Sequence, residues 1–215
     1  MTSLLSLKPK RVMVLAPHTD DGEFGCGGLL ARFIEEGIEV YYTAFSVCEQ
    51  SVPYGFSEDQ LKFELMEATG VVGIPPENMI IHRYEVRKFP EVRQSILQDI
   101  IDTRKSIDPD LVLLPCIDDI HQDHQVVAAE GLRAYKNTTI LSYEMPWNNL
   151  SITTSSFAVL EKRHIQKKID ALACYKTQAF RHYANAEFVW SLARTRGAQI
   201  AQEFAEVYQL VRLVF

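Results

Sequence analysis

The chain has 215 residues, 47% of them hydrophobic and 23% charged, with a net charge of −6 and a pI near 5.5. That length suits one domain with a full hydrophobic core, and the composition excludes a disordered, collagen-like or low-complexity chain. No Lys/Arg run is long enough to track a phosphate backbone, which argues against nucleic acid as a partner. Met1 to Leu7 are mildly apolar, but no basic segment precedes them and Lys8, Pro9 and Lys10 cut the run short. Neither a secretory signal nor a membrane span is expected. Cys26, Cys48, Cys116 and Cys174 are scattered and never spaced as Cys-x-x-Cys. Without an export signal they read as reduced, mostly buried thiols of a cytoplasmic protein.

Residues 11–17 (RVMVLAP) form a short apolar run that predicts a buried parallel strand. Residues 23–36 have helical spacing and end at Gly37, a C-cap signal. Residues 38–46 predict a second strand, completing a βαβ unit. A helix over 58–72 is closed by Gly73 and the Pro75–Pro76 pair, and another over 91–107 ends at Asp108–Pro109. Residues 110–115 (DLVLLP) predict a buried strand, 123–136 a helix and 139–144 a strand. Two late helices are expected near 159–175 and 187–201, and a last strand over 203–213. No linker interrupts the pattern, so residues 1–215 read as a single domain. The alternation predicts an α/β, Rossmann-like fold with a mainly parallel sheet and helices on both faces.

In such sheets ligands sit at the carboxyl ends of the strands, and the two most polar loops fall there. One is Pro17-His18-Thr19-Asp20-Asp21-Gly22-Glu23; the other is Asp118-Asp119-Ile120-His121-Gln122-Asp123-His124. Two imidazoles and a carboxylate suit zinc and leave a fourth position open for water. A neighbouring carboxylate that is not a ligand can take that water's proton, and the Asp20–Asp21 pair supplies both kinds of carboxylate. The spacing alone also allows a plainer reading, in which Asp20 or Asp21 caps the following helix. His82, His164 and His182 lie outside such histidine–carboxylate loops and read as surface or core histidines. Gly25, Gly27 and Gly28 resemble a phosphate-cradling turn, so a non-catalytic nucleotide- or sugar-binding domain is an alternative. The GxGxxG spacing fails, however, because Leu30 stands where the third glycine belongs.

The first loop, with Gly25, Gly27 and Gly28 after it, resembles the Ala/Pro-His-Pro-Asp-Asp-Glu motif of the PIG-L/LmbE-like zinc-dependent N-deacetylases. His121-Gln122-Asp123-His124 resembles that family's His-Pro-Asp-His element. Lys168, Ala171, Thr177-Gln178, Arg196-Gly197 and Phe204-Ala205-Glu206 extend the resemblance towards the C-terminus. Thr19 and Gln122 replace the usual prolines.

The resemblance implies a single LmbE-like domain that removes the N-acetyl group from an amino sugar or sugar conjugate and releases acetate. It implies His18, Asp21 and His124 as ligands of Zn2+, or of another divalent metal such as Fe2+. Asp20 becomes the general base, and His121 a cation that stabilises the oxyanion. Asp119 and Asp123 become residues that orient His121 or a ligand. The family's substrate-contacting arginine ahead of a helical Glu is absent; Glu64 fits the Glu, and Lys62 is the best cation. The implied partners are a small N-acetylated amino sugar or a nucleotide- or lipid-linked sugar, and a homo-oligomer. An amidase acting on thiol–sugar conjugates is the alternative within the same chemistry.

Overall fold

In the computed structural model, which describes residues 8–215, the apolar run after Arg11 becomes the central strand β1 (Arg11–Ala16). Met1–Leu7 lie outside the described residues. The chain continues through α1 (Asp21–Glu35), β2 (Glu39–Ala44), α2 (Gln60–Val72), β3 (Met79–Ile81), α3 (Phe89–Ile107), β4 (Leu111–Pro115), α4 (Gln122–Ala134), β5 (Thr139–Tyr143), β6 (Ser156–Leu160), α5 (Lys162–Leu172), α6 (Ala186–Ala198) and β7 (Phe204–Arg212). The strands form one seven-stranded sheet in the order β3-β2-β1-β4-β5-β7-β6. β3, β2, β1, β4 and β5 are parallel, whereas β7 runs antiparallel to both β5 and β6.

Alternate residues of β1 face opposite sides, as a strand's period of two requires. Val12, Val14 and Ala16 join a core with Leu29 and Leu30 of α1, Leu65 of α2, Ile165 of α5 and Val189 of α6. Met13 and Leu15 join the opposite core with Ile96 and Ile100 of α3 and Val127 of α4. Burial on both faces explains why β1 and β4 read as continuous apolar runs rather than alternating ones.

One expectation is corrected, and one strand is added. The helix expected from 159 begins at Lys162, because Ser156–Leu160 pairs with β7 as an edge strand. Long-range pairing here overrides local helical spacing. β3 went unpredicted: three residues following Pro75–Pro76 are too few to show a period.

The glycines of α1 serve packing rather than phosphate. An added Cβ at Gly22 would lie 2.4 Å from the Tyr42 ring, and at Gly25 2.3 Å from the Tyr143 ring. At Gly27 it would meet Lys168 at 3.0 Å, and at Gly28 Leu160 at 2.6 Å and Glu206 at 3.0 Å. The exposed backbone lets Lys168 and Glu206 in: Glu206 accepts from the N–H groups of Gly28 (3.0 Å) and Leu29 (2.8 Å), and Lys168 donates to the Phe24 carbonyl (2.6 Å) and to Glu206 (2.7 Å). A Gly→Ala change inside a helix ordinarily gains about 1 kcal/mol. In Gly25→Ala the overlap with Tyr143 outweighs that gain, and a net loss of roughly 1–3 kcal/mol is expected, as for other overpacked cores. Urea unfolding followed by circular dichroism reads it; an unchanged or raised midpoint would show that the helix can back away from the sheet.

Candidate active site

The chain leaves β1 towards β2 on one side of the sheet and later returns to lay β4 on the other side of β1. At such a switch point the two adjacent loops diverge and open a crevice. The loop after β1 carries His18, Thr19 and Asp20; the loop after β4 carries Asp119 and His121. Asp21 opens α1, and Asp123 and His124 lie in the first turn of α4. Both polar loops therefore meet, as expected from their sequence positions.

Their side chains converge closely. Asp21 Oδ2 lies 3.2 Å from His18 Nδ1 and 3.2 Å from His124 Nε2, and the two imidazole nitrogens lie 3.2 Å apart. Carboxylates fix the far side of each ring: Asp123 Oδ2 is 2.9 Å from His18 Nε2, and Asp119 Oδ2 is 2.8 Å from His124 Nδ1. In the neutral tautomer each ring directs its N–H outward to a carboxylate and its lone pair inward. Asp119 and Asp123 orient the two ring faces in the manner usual around metals.

His121 differs. It stands at the N-cap of α4, where its Nδ1 accepts the Asp123 backbone N–H at 3.2 Å. With Nδ1 accepting, the neutral ring carries its proton on Nε2 and presents a donor. His18, His121 and His124 form a cluster with one nitrogen of each within 4.8 Å of the others. Tautomer logic divides it into two lone pairs and one N–H.

The electrostatics follow. Burial opposes protonation of His124, but Asp21 and Asp119 raise it to about 10. His18 is likewise raised, by Asp21 and Asp123 against its burial. Burial alone would raise Asp21, yet the two histidines hold it well below the ordinary carboxylate range. His121 is pulled down to about 4, first by burial and then by His18 and His124. That direction favours the neutral imidazole over the cation that the resemblance implies.

Asp20 occupies the N-cap position of α1, but its side chain makes no capping hydrogen bond. The helix-capping reading fails for it. Burial and the neighbouring Asp21 charge push its carboxyl up to about 6, against the pull of Arg181 and His18. Behind it, Tyr42 and Tyr175 donate to the buried Glu23 carboxylate at 2.7 and 3.0 Å and brace the turn.

These groups open onto a cleft of about 250 Å³ that is also lined by Leu61, Arg87, Trp147, Arg181 and Tyr183. Trp147 and Tyr183 stack 3.7 Å apart at 7° and form one wall. Trp190 instead packs on Phe204, and Tyr54 and Phe56 are exposed and line no part of the cleft. Lys62 is not brought to the site: its neighbour Leu61 lines the cleft, and the cations there are Arg87 and Arg181. Arg87 and Tyr183 carry no local motif, whereas Arg181 follows the Thr177-Gln178 match by three residues. Cys48 lines the cleft, but burial, then Asp20 and Asp21, push its thiol up and deny it a nucleophilic role. Two of the other three histidines find partners that sequence proximity could not show: His82 pairs with Asp99 (3.3 Å) and His164 with Glu35 (3.1 Å).

Residues 13–135, more than half the chain, match the model of the PIG-L (GlcNAc-PI de-N-acetylase) family. The chain belongs to that family of deacetylases. It is 25% identical over 183 residues to an uncharacterised deacetylase of Escherichia coli K12, YaiS, covering 82% of this chain and 97% of that one. Its fold matches the N,N'-diacetylchitobiose deacetylase of Pyrococcus horikoshii with a TM-score of 0.76 and 18% identity, over 95% of this chain and 84% of that one. It matches GalB, the 4-carboxy-2-hydroxymuconate hydratase of Pseudomonas putida KT2440, equally well: TM-score 0.76 and 18% identity, over 96% and 98% of the two chains. The fold alone therefore does not select the reaction. No helix among the described residues is long and apolar enough to cross a membrane.

Proposed function

We propose that this chain is a metal-dependent N-deacetylase of amino sugars, with one divalent ion held by His18, Asp21 and His124. The observation that carries this reading is the triangle of ligand atoms, 3.2 Å on every edge. Ligands at about 2.0–2.1 Å from a tetrahedral zinc lie roughly 3.3–3.4 Å apart. The imidazole–carboxylate donor set favours Zn2+, and Fe2+ is the other candidate. A divalent ion supplies Lewis acidity and a water acidified to a pKa of about 7.

The chain's own residues divide the remaining work. Asp20 takes the proton of the attacking water: it is ionised at neutral pH, yet more basic than an ordinary carboxylate. The Nε2–H of His121 donates to the oxygen that gains negative charge as the acetamido carbon becomes tetrahedral. Asp20 then passes its proton to the departing nitrogen, and acetate and the free amine leave. The Trp147–Tyr183 wall offers an apolar surface to the sugar ring.

Protein purified without chelator is expected to hold close to one metal equivalent and to release acetate from an N-acetylated amino sugar. Metal-loaded protein that releases no acetate from free, phosphorylated, lipid-linked or nucleotide-linked N-acetyl sugars would overturn the reading. Release of an amine from thiol–sugar conjugates would instead favour the amidase.

Donation by a neutral His121 makes a separate prediction. His121→Ala should lower kcat about 10²–10³-fold, the cost of one lost oxyanion donor, at every pH and with metal content unchanged. Loss of an alkaline limb in this variant, compared with the wild type, would show that His121 acts as imidazolium instead.

A further inference from the structure

The loop after β1 carries Thr19 where the family motif has a proline, whose ring would fix φ and stiffen the turn. The turn must nevertheless aim Asp20. The Asp20 side chain makes no capping hydrogen bond, so its direction is set through its backbone.

Three buried side chains from three parts of the chain converge behind that backbone. Tyr175, which follows α5, places its hydroxyl 2.5 Å from the Thr19 carbonyl oxygen and 3.0 Å from Glu23 Oε1. Tyr42 of β2 accepts the Gly22 backbone N–H at 3.1 Å and donates to Glu23 Oε2 at 2.7 Å, and its hydroxyl lies 3.4 Å from the same Thr19 carbonyl. That carbonyl shares one planar peptide unit with the nitrogen and Cα of Asp20. A grip on the Thr19 oxygen and on the Gly22 N–H therefore fixes the backbone on both sides of Asp20. Tyr175 does not itself line the cleft.

The segment that carries Tyr175 is pinned in turn. Thr177 donates its backbone N–H (3.1 Å) and hydroxyl (2.6 Å) to the buried Glu64 of α2. That hydroxyl accepts from the Gln178 amide (3.1 Å), whose oxygen accepts from Arg181 Nε (2.5 Å). The proposed metal ligands have anchors of their own: Asp21 accepts the His18 N–H, Asp123 holds the His18 ring and Asp119 holds His124.

We propose that Tyr175 is a positioning residue for Asp20. Its hydroxyl holds the Thr19 carbonyl across 156 positions of sequence and supplies the stiffness that a proline at position 19 would give. This rests on the reading of Asp20 as the general base.

The test makes Tyr175→Phe on the wild-type chain and on Thr19→Pro, and reads metal content, kcat and KM for each. On the wild type, Tyr175→Phe should lower kcat about 10–100-fold, the cost of a misplaced catalytic group, with metal content and KM close to the parent values. On Thr19→Pro the same change should cost at least about threefold less, whereas independent sites add to within roughly twofold. Tyr41→Phe, whose hydroxyl reaches Glu39 at the start of β2 (3.5 Å), should change nothing. A folded Tyr175→Phe with unchanged kcat overturns the proposal, as does a loss of metal or an equal cost in both backgrounds. So does a Thr19→Pro chain that folds but no longer turns over. Amide exchange on the metal-free protein supplies an arm independent of the reaction. The Gly22 N–H donates to Tyr42 and the Phe24 N–H to the Asp20 carbonyl (3.0 Å), so both report opening of the turn. Their exchange should quicken roughly 5–10-fold in Tyr175→Phe, the weight of one hydrogen bond, and slow again in Thr19→Pro/Tyr175→Phe. If no sugar is deacetylated but exchange responds in this way, the grip on the turn stands and the reaction is discarded. Exchange that ignores Tyr175→Phe discards the grip whatever the turnover. Should Thr19→Pro fail to fold, Tyr175→Phe alone decides through kcat and exchange.

Discussion

Asp20→Asn is expected to bind metal as the wild type does and to lose about two to four orders of magnitude in kcat, the range for one general base. The substitution keeps size and polarity and removes the basic lone pair. Metal binding should survive because Asp20 is outside the triangle of ligand atoms. Asp21→Asn should do the reverse. Asp21 Oδ2 faces both imidazoles and accepts the His18 backbone N–H at 2.8 Å, so metal affinity should fall and added zinc should partly restore the rate. The wild-type rate should rise with pH through about 6, where Asp20 loses its proton, and that limb should vanish in Asp20→Asn. The paired measurement is metal stoichiometry and kcat under metal saturation. Near-wild-type turnover in Asp20→Asn would remove the base assignment.

The second large effect is on the metal itself. His124→Ala leaves two protein ligands, too few for a stable site of this type, and stoichiometry after dialysis should fall from about one to near zero. Asp119→Asn tests the same site from one step further out. Asp119 holds His124 Nδ1 and also accepts the His121 backbone N–H at 2.8 Å. Losing an orienting carboxylate of this kind typically costs about 10–100-fold in metal affinity. Competition with a chromophoric chelator measures both variants. Undiminished metal in His124→Ala would transfer the ligand role to His121, the third nitrogen of the cluster.

The parts of this molecule visible in its sequence are those with a local cause. β1 and β4 announce themselves because both faces are buried, and the helices after them by periodicity and their glycine or proline ends. The two histidine–carboxylate loops are legible because these side chains crowd into a few residues at strand ends. What was hidden is long-range. β6 has no signal apart from its partner β7, and the pairing of Asp123 with His18 spans 105 positions in the chain. Arg181 could not be found by looking near Glu64 in sequence, because its link to Glu64 runs through Thr177 and Gln178, more than a hundred residues away. Lys62 was the natural choice from sequence for the opposite reason: it is adjacent to the right helix position but is not brought to the cleft.

The contact of Lys168 and Glu206 with the middle of α1 bears on the order in which the protein matures. During synthesis the two histidine loops are complete once residue 124 has emerged, long before residue 206 is made. Until then the Gly28 and Leu29 N–H groups lack their carboxylate, and helix α1, which begins at Asp21, has no brace on its glycine face. A nascent chain already holds every proposed metal ligand but not the strut that fixes their geometry. The carboxylate that braces α1 therefore arrives only with the last strand, after both histidine loops have been made.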